Sequence, residues 1–368
     1  LNLPRRLYWA ARRKRVLVTY DAYTTSVLLC YGHPLPRLEA ATRRRWLLLP
    51  AAEVPMEELH GFHAVISMRG ISKQSLEVMT AAGAAGCRTV YDLDDNLLLL
   101  DQLVPDPEHP WRRIFDAARP EIEGQLAAAD LVKVYSPSAL PYFHPYNPNV
   151  VAIRAYQTVD RSAPALRHAA KAARTEAGPV KVGFLGSYYK DEEFSPVVGA
   201  ILRLLAERRP VAFEFFGFLP RALEGRPEIS HVPWRSSYEE YRRTLDGLDW
   251  EIGLAPLRDL GFNRCKSNNK YREYAAAGIA GIYSDAAIYR DSVTDRETGL
   301  LVPHAGEQGW YEAILELATD AGLRRSIQDA AFADVKANYR EEDYVARVAA
   351  LLEGPWPRRR RWPRGGRG

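Results

Sequence analysis

Short unbroken apolar runs alternate with helix-spaced stretches, beginning once near residue 15 and again near residue 180, and this alternation constrains the chain more than any other feature. Strands buried on both faces of a parallel sheet read as continuous apolar runs, and each needs a helical crossover before the next. In the first half, residues 15–20, 45–49, 64–68, 88–93, 131–135 and 150–154 fit the strand pattern, with helices at 72–84 and 120–129. The pattern breaks over 156–179, which turns Ala-, Arg- and Lys-rich around Pro164 and Gly178. It resumes with strands at 181–185, 211–216, 250–255 and 279–284, and helices at 194–207, 266–277, 308–319, 322–338 and 341–352. Two such series predict an α/β chain of two Rossmann-like, doubly wound parallel sheets facing a cleft. The expected organisation is an N-terminal domain over 1–160, a linker over 161–179, a C-terminal domain over 180–352 and a disordered tail over 353–368.

Composition removes other classes. At 368 residues and 47% hydrophobic, the chain can bury two cores. Its three cysteines, Cys30, Cys87 and Cys265, are far apart and form no CxxC, which argues against a disulfide framework or a cysteine zinc site. No run approaches the ~20 apolar residues of a membrane span. The net charge of +4 is unevenly placed, with six cations and no acid in residues 1–15 and six more in 355–368. The body between them is acidic, which argues against a nucleic-acid groove there and leaves the ends as contacts for an anionic surface. No secretory leader pattern follows the basic start, so the expectation is a cytoplasmic protein, soluble or peripheral at the inner face of a membrane.

Ligands of open α/β sheets collect at the carboxyl ends of the strands, and four such ends carry chemistry. Gly186, followed by Ser187 and Lys190, offers backbone N–H groups and a cation to a phosphate, or is a tight turn. Gly217 ends Phe215-Phe216-Gly217, a strand core or a loop beside a nucleobase. The segment from Asn263 to Gly278 is the most informative. On a helix, Lys266, Lys270 and Glu273 would share one face, suiting a diphosphate and a pair of sugar hydroxyls, or a solvated set of salt bridges. Asp92-Leu93-Asp94-Asp95 offers Asp94 and Asp95 as hydroxyl-binding or proton-transfer groups, as a DxD metal site, or as a turn with a helix cap. Scattered histidines without HxH or HExxH support no metal centre.

Taken in order, GFLGS, FEFFGF, DWEIGLAPL, FNRCKSNNKYREYAAAG, YSD and TGLLV resemble the carboxyl-terminal domain of retaining GT-B glycosyltransferases, nearest the GT4-like group. The resemblance covers about 180–352, with weaker support from Asp92–Asn96 in the first half. It implies a nucleotide-sugar donor held mostly by the second domain, with Glu273 on the ribose and Gly186 and Ser187 over the diphosphate. The chain departs from the family at Cys265, where many members carry a second glutamate, and at Ser187, where arginine is common. Asn263, Lys266 and Ser267 are the candidates to replace those functions.

The resulting expectation is a retaining, metal-independent transferase with no cofactor, moving a sugar to a glycan or lipid-linked acceptor, as in surface polysaccharide assembly. Lys266, Lys270 and Lys190 would stabilise the leaving diphosphate, and helix 341–352 would cross back to the first domain. The alternatives are a GT-B-fold sugar-nucleotide epimerase, a non-catalytic nucleotide-sugar-binding protein and, in a different class, a nucleic-acid binder working through the basic ends.

Overall fold

The computed structural model describes residues 15–159, 178–186, 191–235 and 237–354. Ser187, Lys190, most of the expected linker and both basic ends therefore lie outside the described residues. The chain divides into two compact units, Leu1–Arg154 with Glu342–Gly368, and Ala155–Glu341.

The first unit holds strands β1 (Arg15–Tyr20), β2 (Arg45–Pro50), β3 (Phe62–Met68), β4 (Arg88–Asp92), β5 (Leu131–Val134) and β6 (Val150–Ala152). They form one parallel sheet in the order β2-β1-β3-β4-β5-β6. Helix α1 (Lys73–Ala84) buries Val78, Met79 and Ala82, and α2 (Arg119–Ala128) buries Ile122 and Leu126. Chain direction reverses across the sheet between β1 and β3, and the Asp21 carboxylate pins that point. It accepts from the backbone N–H of Ile71 (2.6 Å) and Ser72 (2.9 Å) and from the hydroxyls of Ser72 (2.6 Å) and Ser75 (2.7 Å), tying the end of β1 to the start of α1.

Beside it, Asp92 and Lys133 are register partners on β4 and β5 and form a fully buried ion pair at 2.9 Å. The Tyr31 and Tyr135 hydroxyls also donate to the Asp92 carboxylate, and the ammonium lies 3.7 Å from the Tyr135 ring centroid. Two charges survive burial here because their hydrogen-bonding capacity is met from several sides.

The second unit holds β7 (Val180–Gly186), β8 (Val211–Gly217), β9 (Ile229–Val232), β10 (Ile252–Ala255), β11 (Ala280–Ser284) and β12 (Leu300–Val302). Their parallel order is β12-β11-β10-β7-β8-β9, with the switch point between β7 and β10. Its helices include α3 (Asp191–Ala206), α4 (Tyr238–Gly247), the one-turn α5 (Gly261–Arg264), α6 (Asn269–Ala276), α7 (Glu307–Thr319) and α8 (Ala321–Asn338). One face of the sheet packs Val182, Phe184, Phe194 and Trp310, and the other packs Phe216, Trp250, Tyr274 and Tyr283. A Cβ at Gly183 would stand 1.9 Å from the Trp250 ring, so only glycine admits that indole. Strand β9 and helix α4 are absent from the sequence reading: Ile229–Val232 has no fully buried residue, and the short helix is dominated by charge.

The last helix, α9 (Glu341–Glu353), buries Tyr344, Val345, Val348 and Leu352. Tyr344 Oη donates to the Cys30 carbonyl at 3.1 Å, Arg44 pairs with Glu353 at 2.9 Å, and His63 Nε2 lies 3.0 Å from the Leu352 carbonyl. These contacts place α9 in the first unit, so the second unit ends at Glu341 rather than at 352.

Candidate functional site

The candidate site lies at the carboxyl ends of β7, β8 and β10, where the second sheet reverses direction and helix crossovers leave a natural opening. Gly186 and Gly217 are neighbours in the parallel register of β7 and β8. Gly217 has a φ of +87°, and a Cβ there would stand 2.4 Å from the Gly186 carbonyl oxygen and 2.8 Å from the Trp234 ring. The position is therefore reserved for glycine on both conformational and steric grounds.

An aromatic shelf follows. Phe216 stacks on Tyr241 with centroids 5.4 Å apart, and Trp234 lies 6.1 Å from Phe216 and 5.7 Å from Tyr241. Phe216 is buried, whereas the Trp234 residue is 38% exposed. Tyr241 links this shelf to the carboxylate singled out from sequence, since its hydroxyl donates to Glu273 Oε1 at 2.9 Å. Burial holds the Tyr241 phenol well above its ordinary pKa, so it keeps the proton it donates.

Glu273 sits on α6, one turn beyond Lys270. Burial raises its pKa, opposed by the Tyr241 bond and by Lys270, Arg272 and Arg242. Lys270 forms no salt bridge with Glu273; its ammonium lies 5.1 Å from the Phe184 ring centroid. Burial lowers it to about 8, with Lys266 lowering it further and Glu273 and Glu193 pulling it up. A half-desolvated cation without a carboxylate partner is what an incoming anion would complete.

Lys266 does not share a helix with Lys270. The i→i+3 bonds Cys265 N–H to Phe262 O (3.3 Å) and Lys266 N–H to Asn263 O (3.2 Å) close α5 as a tight turn, and α6 begins only at Asn269. The expected helix over 266–277 is thus shortened, and Lys266 Nζ lies 4.6 Å from the Phe262 ring centroid. Lys266 still acts on the Lys270 charge, so both cations remain at one place.

Ser267 accepts from Arg272 at 3.2 Å, and Arg272, 7% exposed, also donates to Asn268 Oδ1 (3.1 Å) and to the Tyr156 carbonyl. Ser267 is therefore engaged in holding the start of α6. Cys265 is buried, with its thiol 3.4 Å from the Gly261 carbonyl, and brings no charge to the site.

Asn263 is 1% exposed and donates through Nδ2 to Glu193 Oε1 (3.0 Å) and to the Arg258 carbonyl (2.9 Å). Glu193, on α3 and 2% exposed, also accepts from the Arg258 backbone N–H. Glu193, Tyr241 and Trp234 are functional candidates that the sequence reading missed. The acidic run Asp191-Glu192-Glu193 was the available signal for the first, but the reading began that helix at residue 194.

Asp94 and Asp95 belong to the first unit. Arg69, itself at a φ of +53°, pairs with Asp94 at 3.4 Å and with Asp95 at 3.3 Å, and the Ser26 hydroxyl donates to Asp94. Burial raises the Asp94 pKa, with Arg69 opposing. Among the described residues no three His, Cys, Asp or Glu side chains gather in a metal-holding group.

No family model and no curated protein matches the sequence. Solved structures do. The chain is similar to Anabaena HepE, solved with UDP and glucose, at 13% identity and a TM-score of 0.63 over 93% of this chain and 100% of that one. It is similar to sucrose-phosphate synthase from Thermosynechococcus elongatus at 14% identity and a TM-score of 0.67, over 93% and 98% of the two chains. A UDP-forming α,α-trehalose-phosphate synthase from Burkholderia xenovorans matches at 10% identity and a TM-score of 0.61, over 93% and 99%. At such identities the likeness speaks for architecture, and with the two six-stranded parallel sheets it shows that this chain has the two-domain, Rossmann-like GT-B fold.

Proposed function

We propose that the chain is a glycosyltransferase that moves a sugar from a nucleoside-diphosphate donor to an acceptor hydroxyl. The observation that carries this reading is the placing on α6 of Lys270, a half-buried cation with no carboxylate partner among the described residues, one turn before Glu273, a carboxylate oriented by Tyr241. Lys270 and Lys266 take the diphosphate, Glu273 accepts from the ribose hydroxyls, and the exposed Trp234 face takes the base. Gly186 and Gly217 keep the backbone low enough for the diphosphate to approach. HepE, a neighbour in fold, was solved with UDP and glucose, which suits this assignment.

The reaction follows from those roles. The bond between the sugar's anomeric carbon and the diphosphate oxygen breaks, with the electron pair leaving on the diphosphate beside Lys270 and Lys266. The acceptor oxygen bonds to the same face, retaining configuration, and its proton passes to the departing diphosphate oxygen. Lysines fixed before the reaction stabilise charge where it develops, so the step needs neither a protein nucleophile nor a metal or other cofactor. Asp94 and Asp95, clamped by Arg69 at the switch point of the first sheet, serve the acceptor hydroxyl. A glycan or lipid-linked acceptor suits the basic ends, at the inner face of a membrane. No helix among the described residues is long and apolar enough to cross one.

Calorimetry with UDP-, GDP-, ADP- and dTDP-sugars, with and without EDTA, tests the reading. One donor should bind insensitively to EDTA, and Glu273→Gln should weaken it roughly ten- to a hundredfold, the value of a charged hydrogen bond of about 1.5–3 kcal/mol. Unchanged donor affinity in that variant removes the ribose assignment.

A further inference from the structure

Next to the lysines is a buried polar cluster that the roles above do not use. Glu193 on α3 is clasped by the Arg258 backbone N–H and by Asn263 Nδ2 (3.0 Å), and Arg258 pairs with Glu192 at 2.7 Å. Both partners of Asn263 Nδ2 are acceptors, Glu193 Oε1 and the Arg258 carbonyl, so the amide cannot be flipped. Its Oδ1 is then a true acceptor, turned away from both by the trigonal geometry of the amide, and in a residue 1% exposed it has no hydrogen-bond partner among the described residues. An unmet buried acceptor is costly unless something else meets it.

A donor and acceptor of complementary kind stands close by. Ser284 Oγ, at the end of β11, accepts from Leu257 N–H at 2.8 Å and lies 3.1 Å from His304 Nδ1, just beyond β12. A hydroxyl has two lone pairs and one proton, so Ser284 meets Nδ1 in either tautomer, and His304 Nε2 is left to pair with a ligand hydroxyl as donor or acceptor. Burial lowers the His304 pKa, so the ring is neutral at pH 7, and Glu193 and Arg258 both act on it electrostatically.

The local charge selects the ligand class. Glu192 and Glu193 oppose an anion and offset the Arg258 charge at 2.7 Å and 3.7 Å, while the buried Arg258 Nε, like Asn263 Oδ1, has no hydrogen-bond partner among the described residues. A neutral hydroxylated ring fits instead: one hydroxyl donates to Asn263 Oδ1, and a second hydroxyl, which can donate or accept, pairs with His304 Nε2.

We propose that Asn263 and His304, held by the Glu193 clasp, form the subsite that reads the hydroxyls of the sugar on the nucleotide donor, in a chain whose residue 265 is an uncharged buried cysteine. The proposal rests on the nucleotide-sugar reading above and adds the group that distinguishes a sugar nucleotide from the bare diphosphate.

The test compares each nucleoside diphosphate (UDP, GDP, ADP, dTDP) with its hexose conjugate by calorimetry, on the wild-type chain and on Asn263→Ala and His304→Ala. The ratio of the two affinities isolates the sugar's contribution. Each variant should lower that ratio roughly three- to tenfold, the value of one uncharged hydrogen bond. Affinity for the bare diphosphate should stay within about twofold. Asn263→Ala also loosens the Glu193 clasp, whereas His304→Ala leaves it intact and separates sugar reading from loop integrity. An unchanged ratio in His304→Ala and Asn263→Ala, or an equal loss of diphosphate and conjugate in both, overturns the subsite. A wild-type chain that binds no nucleoside diphosphate at all overturns the donor site itself, and the subsite with it.

Discussion

The two sheets each reverse direction once, and each reversal gathers charged side chains, but the two sets are finished to different degrees. At the first, Arg69 faces Asp94 and Asp95 within 3.5 Å, Ser26 donates to Asp94, one Asp94 oxygen is left without a hydrogen bond, and Asp92 is sealed against Lys133. At the second, Lys270 faces an aromatic ring rather than a carboxylate, and Asn263 Oδ1 has no partner. Charges that already offset one another hold no excess charge for a further ion to neutralise, although the unmet Asp94 oxygen can still take a neutral hydroxyl. A half-buried cation without a counter-ion among the described residues carries a desolvation penalty that an anionic ligand relieves.

Predictions that would break or sharpen this contrast differ widely in size. The largest concerns stability. Lys133→Met leaves Asp92 charged and buried, which should cost the first unit about 3–5 kcal/mol in denaturant unfolding, while nucleotide binding at 25 °C survives in whatever fraction remains folded. A loss under 1 kcal/mol would mean that the pair is not the closed, self-compensating set described here.

Lys270→Met should act in the opposite sense. It should weaken donor binding at least tenfold at pH 7 and raise the melting temperature of the ligand-free chain, because a desolvated charge is removed. The same lysine predicts a pH dependence. Its folded-state pKa of about 8 lies below that of the unfolded chain, so the unfolded state binds more protons between them and stability rises as pH climbs through that window. Donor affinity runs the other way, falling as pH passes about 8 and the ammonium loses its proton. Glu273, with its raised pKa, should add an acidic limb as it protonates. Donor affinity and stability measured by calorimetry from pH 5 to 10 should therefore move in opposite directions above pH 8, and parallel curves would remove Lys270 from the site.

Under the proposed acceptor role, Asp94→Asn should leave donor affinity unchanged and lower kcat/KM for transfer about tenfold, as expected when a hydrogen bond that orients the reacting hydroxyl is weakened. A matching drop in donor affinity would show the first unit to be part of donor binding. The smallest effect is expected from Trp234→Ala, a three- to tenfold loss in donor affinity for one aromatic contact of about 0.5–1.5 kcal/mol.

Much of the architecture was legible because a buried parallel strand announces itself locally. β1, β7, β8 and β11 are continuous apolar runs, and observed limits differ from the expected ones by a residue or so. Glu273 and Lys270 were legible for the same reason, being one turn apart on a helix with a small-residue face. What was not legible lies in elements whose sequence carries little apolar signal. The charged helix α4 delivers Tyr241 to Glu273 across 32 positions, and Glu193 meets Asn263 across 70.

The amino-acid pattern by itself determined two β/α series, their glycine-terminated strands and a lysine and carboxylate one turn apart on a helix, because period and burial are written residue by residue. Tertiary structure alone decided that Lys266 lies in a turn and not on the helix, that the last helix belongs to the first unit, and that the Asn263 amide oxygen has no donor among the described residues. Those outcomes depend on which side chains meet after the chain has crossed its sheet, where hydrogen-bond geometry and desolvation, not periodicity, select the partners.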